Sequence, residues 1–246
     1  MSPEKPLVYL ILGAAGSGRR EILANLIDGG LAGDDRALVL LSADEPPADA
    51  DARLGTPQRW HWDGERIDAP PPGAATHVFL VTAGRGNPIE QIEAFHGWLG
   101  ASGGELARIV CVVHCALAER HKQLLVWYDA CIHFSDVVLL NRREGVANKW
   151  MSDFQARYAA QFLPCLFELV RAGRVKNPAL ILEPQARRMT HFFDEELNWE
   201  ITGDDEEEAE EGEEEIEAQP EEDPYLQRRL GGRRVKDIPD VAKYLA

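Results

Sequence analysis

Residues 7–27, LVYLILGAAGSGRREILANLI, decide the fold. An apolar run, Leu7-Val8-Tyr9-Leu10-Ile11-Leu12, meets a glycine-rich turn and then an amphipathic stretch. The run is short enough for a strand and lacks polar alternation, which predicts a parallel strand covered on both faces. Gly13, Gly16 and Gly18 permit positive φ or let an anion approach the backbone closely. Ile22, Leu23, Leu26 and Ile27 recur at helical spacing, so the first N–H groups of that helix would point into the turn, as in a phosphate-binding loop.

Gly13-Ala14-Ala15-Gly16-Ser17-Gly18-Arg19-Arg20 keeps the glycine spacing of G-x-x-x-x-G-K-[ST] and departs at its last two letters. In that motif the Lys reaches the β- and γ-phosphates and the hydroxyl ligates Mg²⁺. Arg19 supplies charge as a planar fork rather than as a compact ammonium. Arg20 has no atom that ligates a cation. The candidate anion-binding residues are therefore Gly13, Gly16, Ser17, Gly18, Arg19 and Arg20, and magnesium is not expected.

Outward from this stretch, apolar runs recur at residues 37–41, 77–81, 107–113 and 135–141. Helical patterns separate them: Ile89, Ile92, Phe95 and Trp98 after Pro88, then residues 121–134, with a further helix over 151–163. Pro88 sits where a helix begins. Alternating strands and helices over residues 1–165 predict a three-layer α/β/α fold with a mostly parallel central sheet. Residues 43–73, rich in Pro, Asp, Ala and Gly, read as a surface excursion with one hairpin strand at 58–62. Residues 165–170 are either a last strand or a continuation of the preceding helix, and periodicity does not separate the two. Residues 178–182 would cap the domain.

The formal charge of −16 is unevenly placed. Of 42 acidic residues, fourteen lie in 204–223, leaving 28 against 26 Lys and Arg. The folded part thus carries little net charge, which gives no support to nucleic-acid recognition. The acidic tract has too few apolar groups to order itself and is expected to be a disordered C-terminal tail. No segment approaches the roughly 20 apolar residues of a membrane span. Lys5 and the run after it imitate the start of a secretory leader, but six apolar residues followed by a glycine turn argue against one. Cys111, Cys115, Cys131 and Cys165 lie in apolar or helical segments, as reduced buried thiols do, and a cytoplasmic setting is expected. His114, Cys115, His121, Cys131 and His133 match no standard ligand spacing, so no metal site is expected.

Three separated stretches fall into one pattern. Gly13 to Gly18, then Val81-Thr82-Ala83-Gly84 with Asn87-Pro88, then Ser135-Asp136 leading through the apolar run to Asn141-Arg142-Arg143-Glu144, together resemble the G domain of the CobW-like family of P-loop GTPases, relatives of the UreG and HypB metallochaperones. The resemblance covers roughly residues 6–165. It implies a GTP- or GDP-binding fold, with Asn141, Arg142 and Glu144 at the base-reading positions of N-K-x-D. Each motif departs at a functional letter: Arg19 and Arg20 as above, Val81 where the family has Glu, Asn87 for Asp, Glu144 for Asp. Residues 43–76 also lack the family's C-x-C-C metal motif.

The expectation is a degenerate CobW-like G domain over 1–190, an acidic linker over 191–223 and a basic, amphipathic segment over 224–246. Nucleotide binding would be weak and hydrolysis weak or lost, leaving a nucleotide-binding or regulatory module. Two alternatives stand beside it: an active GTP-dependent metallochaperone, and an interaction protein that uses no nucleotide. Residues 225–246, with paired arginines among Tyr225, Leu226, Leu230 and Val241, are the candidate segment for a protein partner.

Overall fold

The computed structural model describes residues 5–194 and 222–245. Its core is a sheet of eight strands: β1 (Leu7–Leu12), β2 (Ala37–Ser42), β3 (Gln58–Trp62), β4 (Ile67–Asp68), β5 (His77–Val81), β6 (Glu105–His114), β7 (Val137–Asn141) and β8 (Leu166–Leu169). Their order across the sheet is β4-β3-β2-β5-β1-β6-β7-β8. Every neighbouring pair is parallel except β3 with β4. The helices are α1 (Arg19–Gly30), α2 (Pro88–Ser102), α3 (Cys115–Arg120), α4 (Leu124–His133), α5 (Asn148–Ala159) and α6 (Pro178–Leu182). This is the three-layer α/β/α fold expected from the alternation of apolar runs.

Strand alternation sorts the core into two layers. Val8, Leu10, Leu12, Val78 and Leu80 face α2, α3, α4 and α5, where they meet Ile92, Phe95, Trp127, Tyr128, Phe154 and Tyr158. Tyr9, Ile11, Phe79, Val81 and Leu139 face α1 and α6, meeting Ile22, Leu23, Leu26 and Ile181. The central strands are buried on both sides, which is why they read as unbroken apolar runs.

Several expectations are corrected. The helix expected over 121–134 is α4, which starts only at Leu124, and an additional helix, α3, precedes it directly after β6. The 151–163 helix begins earlier and ends at Ala159, because Phe162 takes a left-handed φ of 54° in the turn that leads to Pro164. Residues 166–169 are a strand, parallel to β7. The 43–73 stretch is less superficial than its composition suggests, since Trp60 is fully buried and its Nε1 donates to the Val81 carbonyl at 3.0 Å. Residues 58–62 do form the predicted hairpin, with β4.

At the amino end of the sheet, buried Asp136 accepts the Ile109 N–H at 2.7 Å and the Arg187 N–H at 2.5 Å, and pairs with Arg188. Burial pushes its carboxyl above the usual range despite these donors. The packed body continues past residue 190: Phe192 and Phe193 lie against His96, Phe95 and Phe134. The expected disorder of the acidic tract lies, for 204–221, outside the described residues. Residues 222–245 fold back onto α2 and α4. Leu226 and Val241 are buried in the core layer, Arg234 and Arg228 pair with Glu93, and Asp223 meets His133 at 2.7 Å.

Candidate functional site

At the carboxyl end of β1 the chain turns through Gly13, Gly16 and Gly18, with φ of 133°, 80° and 90°. Two of these glycines are required by contact as well as conformation. A Cβ on Gly13 would collide with the Val112 carbonyl oxygen, and one on Gly18 with the Asn141 amide. Neighbours clamp the loop: Asn141 Nδ2 donates to the Ser17 carbonyl at 2.7 Å, and the Ala15 N–H donates to the Gly84 carbonyl at 2.8 Å. Gly18 caps α1 without a side chain, so the first N–H groups of the helix stay directed at the loop. A Cβ on Gly16 would meet nothing, so the space over the loop is open. Ser17 is buried and its Oγ has no partner within the described structure.

The two arginines border that space but are tied to protein partners. Arg19 is buried and runs to the end of β5, where its guanidinium bonds the Thr82 carbonyl and the Glu45 carboxylate and lies 3.5 Å from the Ala83 carbonyl. Arg20 bonds the other Glu45 oxygen at 3.1 Å, Asp51 at 2.9 and 3.1 Å, and the Pro46 carbonyl at 2.9 Å. Arg59 closes the network on Asp51 at 3.3 Å. Burial lowers the pKa of Arg19, opposed by the charge and hydrogen bond of Glu45. Three guanidinium groups thus share two carboxylates, both of which come from the stretch read as a surface excursion. Glu45 and Asp51 were not singled out by sequence reasoning. The available signal was position, since Glu45 follows a buried parallel strand by three residues at the end of the sheet where such folds place their chemistry.

A magnesium ion does not fit this donor set. Residue 20 brings a guanidinium locked to Glu45 and Asp51, and the Thr82 hydroxyl donates to the Ile11 carbonyl at 3.1 Å. The glycine turn and the helix terminus keep backbone N–H groups directed at open space.

The base-reading candidates lie on the other flank of the loop. Asn141 ends β7 and gives one Nδ2 N–H to the Ser17 carbonyl. Arg142 has a left-handed φ of 50° and reaches Gly16 O at 3.4 Å and Glu21 at 3.2 Å. Glu144 is exposed. Together with Gly18 and with Ala172 and Gly173 of the turn after β8, these three line a cavity of about 270 Å³. The structure therefore gathers Gly18, Asn141, Arg142 and Glu144 around one cavity. Arg19 and Arg20 belong to a second one of about 210 Å³, beside Glu45 and Arg85.

The His and Cys residues considered for a metal are dispersed. His133 is taken by Asp223, and burial raises Cys115 and Cys165 to about 12. Among the described residues no group of three or more His, Cys, Asp or Glu side chains is arranged around a metal position. No helix among them is long and apolar enough to cross a membrane.

No protein-family model matches the chain, and no curated protein matches it. Among solved structures, the chain is similar to a zinc-bound triple mutant of the YjiA GTPase, at a TM-score of 0.43 and 13% identity, over 75% of this chain and 67% of that one. It is also similar to zinc-bound YjiA GTPase from E. coli, at a TM-score of 0.38 and 10% identity over the same shares.

Proposed function

We propose that the chain is a G domain of the P-loop kind, resembling the CobW-like family, that has lost magnesium-dependent hydrolysis and serves as a weak nucleotide-binding or regulatory module. One observation carries this reading: the side chains that replace the Lys and the hydroxyl are already held by Glu45, Asp51 and the Thr82 carbonyl. Phosphoryl transfer depends on positioned positive charge and a metal at the transferred group. Here the charge nearest the glycine turn is engaged by Glu45 and Asp51, and its metal-ligating hydroxyl is gone. The remaining glycine cradle, with the cavity between Gly18, Asn141, Glu144 and Gly173, suits a nucleotide held without a metal. Glu144, a methylene longer than the Asp it replaces, weakens selection for guanine by on the order of ten- to a hundred-fold if it forfeits good geometry in one charged hydrogen bond.

The partner-facing half of the proposal rests on the C-terminal segment. Its turn at Gly231–Gly232 carries a fully exposed Leu230 beside exposed Arg229 and Arg233, which suits an acidic protein partner. The test is a titration with a fluorescent guanine nucleotide, with Mg²⁺ and then with EDTA, followed by a phosphate-release assay. Weak binding indifferent to EDTA, with no release above background, is the expected result. Magnesium-dependent binding with turnover would replace this reading by that of an active GTP-dependent enzyme, and no binding at millimolar nucleotide would leave only the interaction role.

A further inference from the structure

A cavity of about 400 Å³ opens on the outer side of the glycine loop, at the carboxyl ends of β1 and β6. Its place in the topology is telling. The two strands are adjacent and parallel, yet the chain leaving β1 crosses to α1 on one face, while the chain leaving β6 enters α3 and α4 on the other. Connections that diverge in this way leave a crevice, and open α/β sheets bind ligands in it.

The chemistry of the lining is anionic-ligand chemistry. Ala15 and Gly16 line it together with Arg85 and Arg120. Both arginines are exposed, and neither makes an ion pair among the described residues, unlike Arg19, Arg20, Arg142 and Arg157. His114 completes the polar set. Its Nδ1 accepts the Leu117 N–H at 3.1 Å, so the neutral ring carries its proton on Nε2, which has no partner among the described residues. Burial, followed by the charge of Arg142, holds the imidazole below its usual range and keeps it a neutral donor. Two guanidinium forks and an N–H donor suit phosphate oxygens and disfavour cations.

The far wall comes from the C-terminal segment. Tyr244 lies with its ring 5.1 Å from that of His121, and with Leu245 it bounds the cavity. Val241, fully buried, and the Asp240 side chain, which accepts the Ala242 N–H at 3.0 Å, fix this last turn in place.

We propose that the cavity between β1, β6 and Tyr244 is a second ligand site, for a small phosphate ester with an apolar or aromatic body. The phosphate meets Arg85, Arg120 and His114 Nε2, and the body lies against Tyr244 and Leu117. Because residues 222–245 supply one wall, ligand binding stabilises the docked state of that segment by linkage.

Isothermal titration of the full chain with phenyl phosphate, and separately with inorganic phosphate, tests this. The expected result is saturable binding that favours phenyl phosphate, weakened about tenfold or more by Arg120→Ala and brought close to the inorganic phosphate value by Tyr244→Ala. Both side chains lie outside the cavities around Arg19 and Glu144, although this cavity shares Ala15, Gly16 and Arg85 with the one around Arg19. Arg120 makes no ion pair among the described residues, and an unchanged melting curve confirms that its variant is folded. Phenyl phosphate should also slow proteolysis within 222–245. Absence of saturable binding at about 10 mM, or binding unchanged by Arg120→Ala, overturns the proposal. A fluorescent GDP titration of the same variants separates the two readings: GDP binding unchanged by Arg120→Ala and Tyr244→Ala keeps the site distinct, GDP binding lost in step with phenyl phosphate makes it part of the nucleotide position and overturns the proposal, and failure of GDP to bind the unaltered chain removes the proposed function alone.

Discussion

Glu45 is the residue on which the candidate site turns. One carboxylate answers two buried guanidinium groups, and truncating it leaves both with a shortage of negative charge. Breaking a buried pair by removing one partner costs about 3–5 kcal/mol. Glu45→Ala is accordingly expected to lower unfolding stability by about that amount, measured by urea denaturation. The loop glycines make a second prediction at this scale. Gly18 combines a φ of 90° with direct contact against the Asn141 amide, so Gly18→Ala is expected to cost about 1–3 kcal/mol in the same assay. Gly16→Ala, with open space around its Cβ, carries only the backbone strain. These glycines were legible in the sequence because a turn between a buried strand and a helix leaves few other residues able to occupy them. The partners of Arg19 and Arg20 were not legible. Glu45 and Asp51 lie 25 or more residues away in a stretch without periodicity, and only the β2–β5 pairing brings them to the loop.

The central strands could be read because burial on both faces produces unbroken apolar runs, and the helices because one face is apolar. Element ends were harder to read. The strand β6 runs straight into α3, and no glycine or proline marks the break between α3 and α4. β8 is an edge strand with half-buried side chains, so its pattern was weak. The C-terminal segment shows a different kind of partial legibility. Its amphipathic, basic character was visible, whereas its docking on Glu93 and His133 depends on a long-range surface that sequence pattern does not encode. Leu226→Ala is expected to cost about 2 kcal/mol, the low end for truncation of a buried leucine. Its effect should appear as faster amide exchange confined to 222–245. The Asp223–His133 contact adds a pH dependence. Burial opposes ionisation of Asp223, but hydrogen bonds from His133, Thr190 and the Tyr225 N–H, with the charge of His133, outweigh it and hold the carboxyl below its usual value. A depressed carboxyl contributes stability that is fully present above the unfolded value of about 3.9 and is lost as pH falls through the lower folded value. Amide protection of 222–245 should therefore persist from pH 7 to about 4 and decline below it, and Asp223→Asn should remove this dependence.

For the molecule as a whole, charge and ligand sites are separated in a way that bears on nucleotide binding. The negative charge is concentrated in 204–223, while the carboxyl end of the sheet carries Arg19, Arg20, Arg59, Arg85, Arg120 and Arg142 against Glu21, Glu45, Asp51 and Glu144. That end is therefore net positive without a bound metal. A metal-dependent site is normally the reverse, because carboxylates and phosphates gather around the ion and leave a charge deficit when it is removed. If guanidinium groups have taken the ion's electrostatic place, a nucleotide should stabilise the fold equally with and without magnesium. Binding to the native state alone raises stability by RT ln(1 + [L]/Kd), about 2.7 kcal/mol at a hundredfold excess over Kd. GDP at saturating concentration is expected to raise the melting temperature by the same amount in EDTA as in Mg²⁺, while Glu45→Ala loses stability under both conditions without gaining magnesium dependence. A larger shift in Mg²⁺ than in EDTA would mean that a carboxylate at this end, Glu45 or Asp51, is released from its arginine to ligate the ion, and the arginine network would then be a resting state rather than a replacement for the metal.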